Sequence, residues 1–140
     1  ALLEGWAARR AAERASDHDV HALGEALEKL ERQKKRPSSK EKAADEFNFH
    51  YLVGKASGSA VYMHIMDVIR DIIASSLEAH QYNLFQEPSG EGVAQAQHRD
   101  VYHAIRDRDA GAAKDAMRSH LNWVLDSYEN EHGRLHDKND

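Results

Sequence analysis

Residues 97–121 read QHRDVYHAIRDRDAGAAKDAMRSHL, and the reading of this stretch decides the fold. Positions three, four and seven apart share one face of a helix. Counted back to Ala94, the row Ala94, His98, Val101, Ile105 is apolar except for one histidine, and Tyr102 flanks it. Beyond Asp109, which can cap a new helix, the row Ala113, Met117, His120, Val124, Tyr128 repeats the pattern. Two helices joined by a tight turn are expected, each with an apolar row that carries an imidazole at its centre.

The same periodicity extends outward over the whole chain, and no segment alternates with period two for long. A first helix is expected over 2–15. Ser16, followed by Asp17 and Asp19, caps a second over 17–35. Ser39 caps a third over 40–56, which Ser57-Gly58-Ser59 closes. The fourth starts near 60, is apolar along Val61, Ile65, Val68, Ile69 and Ile72, and reaches the mid-80s. The fifth covers 91–107, and the sixth runs from 110 into the 130s, where the tail from His132 loses its apolar pattern and frays. Pro37 and Pro88 are the two prolines, and they mark loops at 36–39 and 86–90. Six helices with short connections predict an all-α, antiparallel helical bundle, a single domain over residues 1–140.

Composition narrows the function. The chain has 19 Lys and Arg against 24 Asp and Glu, a net charge of −5, so it lacks the basic surface that nucleic-acid binding requires. It has no cysteine, which excludes disulfides and thiolate metal sites. No apolar run approaches the ~20 residues that span a bilayer, and no signal peptide opens the chain. Ala1-Leu2-Leu3-Glu4 already lies inside a helical pattern, as in a piece of something longer.

Ten histidines in 140 residues are many, and their positions relative to the apolar rows sort them. In the third helix the buried row is Phe49, Leu52, Val53, Ala56, and Glu46, His50, Val53, Ser57 run beside it. With His98 and His120, three helices each turn one imidazole inward, and one adds a carboxylate a turn earlier. A single inward histidine is ordinarily a satisfied core residue. Three are costly to bury, since every ring has two nitrogens that need partners. One divalent cation satisfies three imidazoles and a carboxylate together. That donor set suits zinc foremost, and also nickel, iron or manganese, whereas calcium and magnesium prefer oxygen shells.

His18, His21 and His103 lie on polar faces, and His132 and His136 in the tail. His64 neighbours Val61 and Val68, where it either lines a cavity or borders the core. Arg10 shares a row with Leu3, Ala7 and Arg14. Its ordinary role is a stem lying over the core with the guanidinium in water. The functional alternative is a cationic fork for a carboxylate ligand.

Three segments in this order and spacing, LLEGWAARRAAERAS at 2–16, DEFNFHYLVGKASGS at 45–59 and QHRDVYHAIRDRDAGAAKDAMRSHL at 97–121, resemble the FCD domain. This is the C-terminal, effector-sensing domain of FadR-type regulators in the GntR family of bacterial transcription factors. The resemblance implies an all-helical antiparallel bundle in a cytoplasmic protein, with a winged helix-turn-helix domain N-terminal to Ala1. In metal-binding members a carboxylate and a histidine stand four residues apart on one helix. A second histidine opens an HRxxxxAI helix and a third ends an MxxHL segment. These match Glu46, His50, His98 and His120, the residues that the rows select. The family carboxylate is usually Asp. Here the in-register residue is Glu46, and Asp45, one position earlier, is rotated off the face of His50.

The expected function is therefore ligand sensing and dimerisation without catalysis. A small organic acid, of the lactate, gluconate or dicarboxylate type implied by the family, would bind at the metal, with Arg10 and His64 as candidate contacts. A homodimer would pass the signal to operator DNA through the separate DNA-binding domain. A metal-dependent hydrolase or oxygenase uses similar ligands. Against it, no HExxH motif and no second carboxylate cluster is present. A bundle cemented by a purely structural metal is the third possibility.

Overall fold

The first helix can approach its neighbours closely because its inner face is almost entirely alanine. In a computed structural model, which describes residues 2–32, 40–79 and 91–136, α1 (Leu2–Arg14) buries Ala7, Ala8, Ala11 and Ala12 completely. Gly5 extends this close approach, since a Cβ there would come within 2.8 Å of Arg118 Cγ. The other elements are α2 (Asp17–Arg32), α3 (Lys40–Ala56), α4 (Ala60–Ala79), α5 (Glu91–Arg106) and α6 (Ala110–His136). No strand occurs among the described residues, and the fold is an all-α helical bundle. The expected residues 33–35 of the second helix, the Ser39 cap, both proline loops and the fourth helix beyond 79 lie outside the described residues. The sixth helix continues through His132 to His136, further than its apolar pattern indicates.

Helix ends form where the sequence supplies caps. Ser16 Oγ accepts from Asp19 N–H at 3.1 Å while Ser16 N–H donates to Asp19 Oδ2 at 2.9 Å, a reciprocal capping box for α2. Asp109 Oδ1 accepts from Ala112 N–H, and Ser59 Oγ from Tyr62 N–H, starting α6 and α4. Gly58 ends α3 in the left-handed region, φ 68°, where glycine carries no steric cost. Arg108 adopts the same conformation, φ 62°, after α5. Its guanidinium donates to the carbonyls of Ala12 and Ala15, so one residue both ends α5 and caps the C-terminus of α1.

The main core joins α1, α2, α3, α5 and α6 around Leu23, Phe49, Val53, Val101, Ile105 and Met117. Phe49 and Ile105 are fully buried there. The fourth helix departs from expectation. It buries Tyr62 and Met66 against Ala7, in a small satellite cluster flanked by Phe47 and Tyr51. Its Val61, Ile65, Val68 and Ile69 are exposed, Val61 at 74%. The apolar row of this helix has the period of a core face, but within one chain these four residues point outward. Ile72's side chain lies outside the described residues.

Candidate metal centre

Three helices from distant parts of the sequence converge on one point. His98 on α5 is fully buried, His120 on α6 is 3% exposed, and His50 on α3 is half-buried at the rim. One ring nitrogen from each lies within 4.8 Å of the other two. The ring centroids of His98 and His120 are 4.3 Å apart, and those of His50 and His120 are 5.2 Å apart with the planes 18° from parallel. Phe49 closes one side, with its ring centroid 4.9 Å from that of His98.

The electrostatics of this arrangement favour neutral rings. Burial pushes His98 down to about 2, helped by His120 and His50. Burial lowers His120 to about 3, with His50 adding to it. Burial likewise takes His50 to about 4, opposed by the carboxylate of Glu4. Neutral imidazoles at ordinary pH offer lone pairs, the form that ligates a metal.

His98 is the anomaly. Neither ring nitrogen has a hydrogen-bond partner among the described residues. Glu46 Oε2 lies 3.2 Å from its Nε2, but off the line that a ring N–H···O bond needs. An unsatisfied buried polar group costs about 1–3 kcal/mol, so this side chain is uneconomical as a core residue. A cation between three imidazoles removes that penalty, and the donor set suits a transition metal.

Glu46 is buried and turned toward His98, yet it does not belong to the mutually close set of three nitrogens. Asp45 is turned the other way, toward α2, where its Oδ1 accepts from Lys29 Nζ at 2.7 Å. Of the two carboxylates, Glu46 is therefore the one beside the imidazoles. The remaining candidates sit apart. Arg10 donates through Nε to the carbonyl of Ser57 at 3.4 Å and lies over the ring of Trp6, so its guanidinium is anchored rather than free in water. His64 is exposed on α4, because Tyr62 and Met66 take the inward positions. It lines no interior, contrary to the cavity reading. His18, His21 and His103 are exposed as expected.

Two contacts escape sequence reasoning. Gln97 Oε1 is 3.1 Å from His120 Nδ1, across the α5–α6 interface. Glu4, at the start of α1, acts electrostatically on both His50 and Tyr62. The adjacency of Gln97 to His98 was the available signal for the first; nothing in the rows marked the second.

Comparisons with known proteins place the chain in a family. The family model described as the FCD domain matches residues 1–122. The Glc operon transcriptional activator of Escherichia coli (strain K12) is 29% identical over 127 residues, covering 89% of this chain and 50% of that protein. The protein of the same name from Escherichia coli O6:H1 matches to the same extent. The chain thus spans about half the length of the curated relatives it matches.

Proposed function

The chain belongs to the FCD domain family, the effector-binding part of GntR-type transcriptional regulators, and from that premise we propose its specific role. It is a sensing and dimerisation domain that takes a small organic acid at a divalent metal in the bundle core, zinc foremost. His50, His98 and His120 would hold the metal, with Glu46 as the fourth protein ligand. The observation that carries this reading is His98, buried with no hydrogen-bond partner for either nitrogen among the described residues and beside two further neutral imidazoles.

The bound cation would supply a Lewis-acidic anchor for an anionic carboxylate. The chain's own residues do the rest. Phe49 and the apolar rows of α3 and α5 exclude water from one side. His50, at the rim, leaves the approach from solvent. Arg10, held by the Ser57 carbonyl, is the cation we assign to the acid's far end, and His64 is exposed on α4.

Binding shifts a regulator only if it differs between two arrangements of the protein. The homodimer is the element that can have two arrangements, and the outward row Val61, Ile65, Val68, Ile69 of α4 supports a second copy there. Operator DNA would be contacted by another part of the protein, in keeping with a net charge of −5 here.

The enzyme reading has less support. Catalysis at such a metal needs a general base beside it, and Glu46, the carboxylate next to the imidazoles, would in this reading serve as a ligand instead.

A thermal-shift screen of small carboxylates against the zinc-loaded and the chelator-stripped domain tests the proposal. Stabilisation by one acid that requires zinc is the expected result. Equal stabilisation without metal would contradict the site, and turnover of the acid would favour the enzyme.

A further inference from the structure

We propose that Gln97 is a positioning residue for His120, selecting the imidazole tautomer that turns Nε2 toward the other two histidines. The inference rests on the metal reading above and adds to it a residue outside the ligand set.

Gln97 Oε1 lies 3.1 Å from His120 Nδ1. An amide oxygen only accepts, so the nitrogen facing it carries the proton and Nε2 keeps its lone pair. His120 is buried, and its ring therefore has few other ways to be oriented. The opposite tautomer would direct an N–H into the centre of the cluster. A partner on the far nitrogen is what fixes ring orientation in imidazole metal sites.

The choice of an amide has a second consequence. A carboxylate would orient the ring equally well but add negative charge beside the metal. A neutral acceptor orients the ring without repelling an anionic ligand, which fits a site for an organic acid. Gln97 is half-buried on α5, one residue before His98, so one short segment supplies a metal ligand and the orienting group for another.

The test uses the 140-residue chain labelled with nitrogen-15, with Gln97→Ala and Gln97→Glu as variants. In the metal-free protein, long-range proton–nitrogen correlation reads the His120 tautomer directly, without any bound metal. The wild type is expected in the Nδ1–H form, Gln97→Glu likewise, and Gln97→Ala in a mixture. Competition against a chromophoric chelator then reads zinc affinity. Gln97→Ala should weaken it by roughly 10–100-fold at unchanged stoichiometry, and Gln97→Glu should restore it. A wild-type His120 in the Nε2–H form, or wild-type zinc affinity in Gln97→Ala, overturns the proposal. A wild type that binds no zinc but holds the Nδ1–H form overturns the metal reading alone, and Gln97 still directs the ring.

Discussion

The imidazoles of His98 and His120 meet with their centroids 4.3 Å apart, carried there by two different helices. Neither is charged in this setting, since burial lowers both far below the usual histidine value. Two neutral rings at this distance, joined by a third, form a set of donors in search of one acceptor.

His98→Leu separates the structural role of this residue from its ligand role. Leucine fills a similar space and removes both orphaned nitrogens, so the metal-free variant should be at least as stable as the metal-free wild type. Zinc at 100-fold excess over Kd should stabilise the wild type by about 2.7 kcal/mol and leave the variant unchanged. Urea unfolding with and without zinc measures both. A variant that keeps the zinc-dependent increment would remove His98 from the site.

The pH dependence of the metal-free domain follows from the three depressed values. A histidine whose folded value lies below its unfolded 6.5 binds its proton more readily when unfolded. Its neutral form supports the fold fully above pH 6.5, and stability falls as pH drops from there toward about 4 for His50, 3 for His120 and 2 for His98. Near pH 5 these residues together should take up roughly three protons on unfolding. The slope of unfolding free energy against pH, compared with that of a triple His50, His98, His120→Leu variant, reads this number. Equal slopes would mean that the rings titrate normally.

The helical rows of α3, α5 and α6 were legible in the sequence because Phe49, Val53, Val101, Ile105 and Met117 repeat with the helical period and are buried. Inward placement of His50, His98 and His120 followed from the same rows. The outward face of α4 was not legible. Val61, Ile65, Val68 and Ile69 have the periodicity of a core, and periodicity does not distinguish a core from a surface awaiting a second molecule. Burial of Tyr62 and Met66 instead depends on Ala7 of α1, a contact between helices far apart in sequence. Gln97 and Glu4 were hidden for the same reason, since their contacts depend on how helices cross. The ion pair of Asp45 with Lys29, which turns that carboxylate from the histidines, also required the placement of α2.

Val68→Asp tests the exposed row of α4. The side chain is 49% exposed, so the substitution should leave the fold intact while placing a charge in the proposed contact between two copies. Analytical ultracentrifugation should show a dimer for the wild type and a monomer for the variant. A variant that remains dimeric would move the interface elsewhere.

Ser16→Ala serves as a stability control remote from the metal centre. It removes the acceptor for Asp19 N–H and half of the capping box of α2. The expected loss is about 1 kcal/mol in urea unfolding, with zinc stoichiometry unchanged. Loss of zinc in this variant would mean that binding depends on overall stability rather than on the local site.

X-ray absorption at the zinc edge of the loaded domain tests the central assignment most directly, because it counts and identifies the atoms around the metal. The account predicts one zinc per chain with three imidazole nitrogens at about 2.0–2.1 Å and oxygen completing the shell. A shell of oxygens alone, or one in which fewer than three imidazoles scatter, would contradict it.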